Sequence, residues 1–177
     1  MISITAHDFS WIRGPEDDPD DLCAHGRVEF CVQGETIIRS EDGDFTLSAA
    51  GLFLLRTLTE DHTEESSVAE MNLLFPCCGH SVWTCSERYP VMCMGCDDGI
   101  DVWIRHRRPD VEISFKAAVF EVPLSEWREA VLRFTDQVEE FYRRSSAKVF
   151  QMNPEDQKGW SAFWQEWQER SATTLEN

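Results

Sequence analysis

The side chains best equipped for chemistry are thiols and imidazoles gathered in one short stretch. Five of the seven cysteines fall between positions 77 and 96. Cys77-x2-His80 is followed by Cys93-x2-Cys96, so two pairs of soft ligands sit on two tight turns, the arrangement a tetrahedral zinc ion needs. Four protein ligands would make such a site structural rather than catalytic. Gly79 and Gly95 lie inside those turns, where close approach of the backbone calls for glycine. Cys78, next to Cys77, leaves the ligand register open, and free cysteines packed as small hydrophobes satisfy the same spacing. The expectation is therefore no cofactor, with a structural zinc on Cys77, His80, Cys93 and Cys96 as the alternative. A thiol-dependent enzyme could use Cys23-Ala24-His25, or Cys78 with His80, as a thiol–imidazole pair, and His106 as an acid–base group. None of these sits in a nucleophile elbow, and nearness in sequence does not make two side chains face each other. No phosphate-binding glycine loop, dinucleotide fingerprint or HExxH motif occurs, so the chain reads as a binding protein before an enzyme.

Charge narrows what could be bound. The 177 residues hold 33 acidic and 16 basic side chains, a net charge of −17. Residues 1–75 alone carry 16 acidic against 4 basic. Such a balance excludes a phosphate-binding footprint and an anionic membrane surface. It favours a basic protein partner, because complementary charge speeds encounter and sets specificity. The acidity peaks in two blocks, which supply the candidate partner-binding residues Asp17, Asp18, Asp20 and Asp21, then Glu60, Asp61, Glu64 and Glu65. Asp97, Asp98 and Asp101, in or beside the Gly95–Gly99 turn, join them, although Asp also favours turns for local backbone bonding. Neither block has the spacing of an EF-hand calcium loop. No apolar run spans a bilayer, and the first residues lack a basic, apolar leader, so a cytoplasmic location is expected.

The elements that must hold these residues follow from periodicity. Residues 2–12 read as a strand or extended lead-in before an acidic loop that ends at 21. Arg27–Val32 and Glu35–Arg39 are two strands about a Gln33-Gly34 turn. Residues 48–58 are apolar nearly all round, predicting a buried helix with Ser48 as its N-cap. Trp83 and Val91–Cys93 suggest short strands. Asp101–His106 and Val111–Val122 suggest a hairpin whose second arm buries Val111, Ile113, Phe115, Ala117 and Val119. Trp127, Val131, Phe134, Val138 and Phe141 form one helical stripe, and Asn153-Pro154 opens a last helix over 151–177, with Trp160, Phe163, Trp164 and Trp167 buried. The prediction is one α+β domain over 1–177, a mostly antiparallel sheet with a buried central helix and two C-terminal amphipathic helices packed on it.

Phe75-Pro76-Cys77-Cys78-Gly79-His80, Gly95-Cys96-Asp97-Asp98-Gly99-Ile100-Asp101, His106 and Phe141–Lys148 together resemble small acidic bacterial proteins of the polymorphic-toxin immunity type. The resemblance spans about residues 20–150 and carries no set of binding residues onto this chain. It implies a protein that neutralises a cognate toxin, and a basic, nucleic-acid-targeting toxin would explain an acidic inhibitor. A tight inhibitor of that kind sets carboxylates against Lys and Arg and anchors them with one or two aromatic rings. The alternatives are a zinc-stabilised adaptor module and, third, a thiol-dependent enzyme.

Overall fold

The computed structural model describes residues 1–78, 81–84, 87–150 and 154–173. Strand β1 (Ile2–Ser10) alternates Ile2, Ile4 and Ala6 inward against Ser3 and Thr5 outward, the signature of a half-buried strand. It pairs antiparallel with β2 (His25–Val32), so the N-terminal segment is a full member of a sheet and not merely a lead-in. The predicted turn at Gln33-Gly34, both with positive φ, returns the chain as β3 (Glu35–Ile38). A two-residue β4 (Phe45–Thr46) pairs with the other end of β2.

Helix α1 (Leu47–Arg56) follows at once, and all ten of its residues are buried. Thr46, not Ser48, occupies its N-cap and makes no side-chain cap bond, while Ser48 lies within the helix. The Leu47 N–H bonds instead to the Ala24 carbonyl, 2.8 Å away, so tertiary contact does the work of a cap.

Two short ladders come next. β5 (Phe75–Pro76) pairs with β8 (Gly99–Ile100), and β6 (Ser81–Trp83) pairs with β7 (Met92–Met94). A second sheet has the order β11-β10-β9, from β9 (Trp103–Arg107), β10 (Asp110–Phe115) and β11 (Ala118–Pro123). The expected long arm 111–122 is thus two strands. Lys116, with φ of 53°, and Ala117 turn the chain between them. Beyond that turn the inward set becomes Phe120 and Val122, and Val119 points out, 62% exposed.

Helix α2 (Leu124–Arg143) buries Trp127, Val131, Phe134 and Val138, as its stripe predicts. Helix α3 (Pro154–Ala172) buries Phe163 and Trp167, with Trp160 and Trp164 partly covered; the expected cap Asn153 lies outside the described residues. Trp167 rests on α1 at Gly51, where any Cβ would strike its ring, and its indole N–H reaches Glu139 of α2 at 2.6 Å. The Trp127 indole N–H donates to Thr57 Oγ1 just past α1. Among the described residues, three helices and antiparallel sheets make this an α+β fold, and buried residues of both sheets and of all three helices join one core cluster. Among the described residues, no helix is long and apolar enough to cross a membrane.

One charge pair lies inside that core. Arg56 closes α1 fully buried, and its guanidinium meets both carboxylate oxygens of Glu166 on α3, at 2.8 and 2.9 Å. Its remaining N–H groups donate to the carbonyls of Val68, at 2.9 Å, and Val91, at 2.7 Å, and Tyr89 stacks on its face at 3.7 Å. Removing Glu166 strands the Arg56 charge in a dry site, so Glu166→Ala is expected to cost about 3–5 kcal/mol. Arg56→Met should cost less, because Arg170 Nε still holds Glu166 at 2.8 Å, and the double variant less than the sum of the two. Urea denaturation of the three variants checks this, and strictly additive losses would contradict it.

Candidate functional site

The first acidic block folds back on its own chain. Asp21 accepts the N–H groups of Ile12 at 2.6 Å and Cys23 at 2.9 Å, and Asp18 caps Asp20 N–H and pairs with Arg13 at 3.1 Å. Asp17 takes the Ser146 N–H at 2.7 Å, and hydrogen bonding from Ser146 holds its carboxyl below the usual range. Lys148 donates to the Asp18 carbonyl and sits 3.2 Å above the Trp11 ring, its ammonium held down in pKa by desolvation despite the surrounding aspartates. Asp18 and Asp21, two of the expected partner-binding residues, thus hold donors of this chain. They close a loop onto the segment after α2, and Asp17 and Asp20 stay at its exposed rim.

The second block divides the same way. Glu60 accepts from Arg88 and from the Tyr89 hydroxyl and pairs with Arg170 at 3.2 Å, while burial and that carboxylate push the Tyr89 phenol well up. Asp61 Oδ1 receives both the backbone N–H of His106, at 2.8 Å, and its Nδ1, at 2.9 Å. His62 pairs its backbone with Ile104 and so adds an outer rung to β9. Glu60 and Asp61 are structural members of this fold, whereas Glu64 and Glu65 remain exposed.

Asp101, another of the expected partner-binding residues, is also engaged within the chain. Its Oδ1 takes the Leu74 N–H at 2.9 Å and lies 2.7 Å from His62 Nε2, with the His62 ring wholly buried. Ser67 Oγ lies 3.4 Å from Nδ1 of the same ring, which gives the outline of a Ser-His-Asp triad that sequence spacing did not reveal. The Val68 N–H occupies that Nδ1 at 3.2 Å, and the Ser67 hydroxyl itself accepts the Ala69 N–H at 3.1 Å. A lone pair already holding a backbone donor cannot also take a serine proton, so this trio acts as a clamp.

The thiols regroup too. Cys23 is buried and desolvation pushes its pKa far up, while the neighbouring His25 ring lies 3.7 Å from Asp21. Cys93, mid-strand in β7, is buried in the core and pushed up to about 12 by burial, apart from Cys77 and Cys96. The expected zinc tetrad is thus not assembled by its described members: strand geometry turns Cys93 inward. His80 lies outside the described residues, and among those described no group of three or more His, Cys, Asp or Glu is gathered for a metal. Cys96 instead meets Cys78: its backbone N–H is 3.0 Å from the Cys78 sulfur, and hydrogen bonding from the Cys78 thiol lowers the Cys96 pKa. Asp97 and Asp98 are exposed at the rim of this turn, and the Asp98 carbonyl receives the Cys77 N–H at 2.9 Å.

Beside the second acidic block lies a pocket of about 210 Å³ lined by Thr63, Glu64, Glu65, Trp103, Arg105, Glu112 and Ser114, while a wider hollow of about 460 Å³ is lined by the first block and Arg13. Antiparallel register sets Arg105 opposite Glu112 and Trp103 opposite Ser114 on the outward face of the second sheet. Trp103 is half-buried, with its ring 5.0 Å from that of His62. Sequence reasoning missed Trp103 and Arg105 here; the outward alternation of β9 and β10 was the available signal. Comparison of the chain with family models, curated proteins and solved structures finds no match to any of them.

The Asp61–His106 contact has a definite pH signature. Burial alone would raise the Asp61 carboxyl, but the two His106 donors outweigh it and hold it below its ordinary value. With the folded value depressed, the stabilisation is present above the unfolded value of about 3.9 and is lost as pH falls through the folded one. Asp61→Asn should lower stability at neutral pH, by at most about 1 kcal/mol for so exposed a group. The difference should vanish toward the acid end of a urea-denaturation series, and a loss independent of pH would refute the assignment.

Proposed function

We propose that this chain is an acidic protein-binding protein whose interface centres on the Glu64–Glu65–Trp103 pocket. The reading most in keeping with its charge is a bacterial immunity protein that binds and neutralises a basic toxin. The observation that carries it is the pocket's chemistry: exposed Glu64 and Glu65 beside Arg105, around a half-buried indole, with Glu112 of the same lining paired to Arg107 at 3.5 Å. A Lys or Arg side chain of the partner would pair with the carboxylates and lie on the Trp103 ring, where cation–π attraction adds to charge. At about 210 Å³ the pocket is smaller than the roughly 300–1,000 Å³ of small-molecule sites. It suits one long side chain at the centre of a wider contact. Glu64 and Glu65 make no contact that the fold needs for its core, and an overall charge of −17 steers a basic partner toward them from a distance.

The test is affinity capture at low salt from a lysate of the source organism, with stepwise salt elution. A basic partner should be retained in stoichiometric amount and released as salt rises. The double reversal Glu64→Lys/Glu65→Lys should weaken its binding about tenfold or more, which is ~1.4 kcal/mol. The reversal Glu16→Lys/Asp20→Lys, equal in charge and placed on the other block, should weaken it far less. Equal weakening by both would reduce the effect to net charge and remove the pocket from the interface.

A further inference from the structure

We propose that Cys78 and Cys96 are a redox pair, which a hydroperoxide converts into an intrachain disulfide. The two residues sit on facing loops held together by backbone contacts on both sides. The β5–β8 ladder pairs Pro76 with Gly99, and the Cys77 N–H continues it onto the Asp98 carbonyl. On the other flank Gly95 passes so close to the Cys78 carbonyl that a Cβ at that position would overlap it. Between these supports the Cys96 N–H rests 3.0 Å from the Cys78 sulfur. Cys77 directly precedes Cys78 and is exposed to solvent. A sulfur already at the backbone of its partner cysteine is brought to bonding geometry by side-chain rotation. Cys78 and Cys96 are both partly exposed, so an oxidant reaches them, unlike buried Cys23 and Cys93.

The chemistry balances with a hydroperoxide as the oxidant. The Cys96 sulfur attacks the terminal peroxide oxygen, the O–O bond breaks, and the leaving oxygen departs as water once it takes the thiol proton. The Cys78 sulfur then displaces the hydroxyl of the resulting sulfenic acid, the S–S bond forms and a second water leaves. Two thiols have given up two electrons and two protons, and hydrogen peroxide has become two waters. Cys77, within reach of Cys96, can attack the new disulfide, release Cys78 as a thiolate and move the bond to Cys77–Cys96. The trio is then an exchangeable disulfide, not an inert staple.

The experiment treats the reduced full-length chain with hydrogen peroxide, blocks free thiols, digests with trypsin without reductant and maps the products by mass spectrometry. Cleavage after Arg56, Arg88 and Arg105 places Cys77, Cys78 and Cys85 on the peptide 57–88 and Cys93 and Cys96 on the peptide 89–105, so a bond found at Cys85 would also overturn the proposal. The expected product is these two peptides joined with the loss of two hydrogens. Fragmentation should put the bond at Cys78 and Cys96, and dithiothreitol should reverse it. Cys96→Ser should lose the link, and Cys78→Ser should shift it to Cys77. Circular dichroism of both variants verifies that they are folded. Oxidation confined to sulfinic or sulfonic acids, a link through Cys93, or links only between chains would each overturn the proposal.

Discussion

A guanidinium fully removed from water at the end of α1 constrains the rest of this molecule. Arg56 is tolerable there only because every face of it is answered: Glu166 by two bonds, the carbonyls of Val68 and Val91, and the ring of Tyr89. Those partners come from α3 and from two separate loops. α3 therefore cannot dock in another register without leaving a charge buried and unpaired, whereas its apolar residues alone would tolerate several. Gly51 and Trp167 complete the lock with a contact that only one axial position allows. Hydrophobic burial supplies most of the stability here, while the ion pair selects which packing is reached. Arg56 ends the helix that leads into the segment holding Glu60 through Glu65, and the Val68 loop it grips leads out of it, so the core pair and the candidate interface are continuous along the chain.

The acidic excess divides into carboxylates that build and carboxylates that remain available. Asp18, Asp21, Glu60, Asp61 and Asp101 each hold backbone or side-chain donors of this chain, a use that rewards a short acceptor side chain on a loop. Around the first block, Arg13 and Lys148 supply the matching positive charge from within. Near Glu64 and Glu65 Arg105 lines the pocket, and Arg107 is taken up by Glu112. Net charge alone does not distinguish the two blocks. The difference lies in where the few cations of the chain have been placed, and it leaves an unspent field at the 64–65 side of the molecule.

Much of the scaffold was legible in sequence because it is periodic. The Trp127-to-Phe141 stripe, the aromatic face of α3 and the alternation of β1 and β2 each report burial through a repeat of 3.6 or 2, and the run of α1, apolar but for Ser48 and Arg56, reports it by composition. What escaped had no local signature. Arg56 and Glu166 are 110 residues apart, and each reads alone as an ordinary surface charge. The turn at Lys116-Ala117 carries no Gly, Pro, Asn or Asp, so the strands on either side looked like one. The Cys93-x2-Cys96 spacing suggested a metal turn, but Met92–Met94 is a strand, and a strand's alternation sends Cys93 into the core while Cys96 begins the next loop. The pocket was half visible: Glu64 and Glu65 stood out by charge, whereas Trp103 and Arg105 reach them only through sheet register.

The His62 clamp explains why a pocket on a loop can still be well ordered. Loop carboxylates bind weakly when a partner must first freeze them, since each immobilised side chain and backbone segment costs conformational entropy. Here the residue two before Glu64 is tied on every polar atom the fold can reach. The His62 backbone pairs with Ile104, Nε2 with Asp101, and Nδ1 with the Val68 N–H, while the ring lies beside Trp103. Asp101 is in turn fixed by Leu74 and directly follows the β8 rung that pairs with β5. The same two strands lead into the Cys77-Cys78 and Cys96 loops. A covalent tie between those loops would remove freedom from the unfolded chain and tighten the ladder at one end. The clamp would carry that rigidity to the other end, where Glu64, Glu65 and Trp103 stand. A triad outline that cannot move a proton is thus well suited to a different task, holding a charged rim in place before anything binds to it.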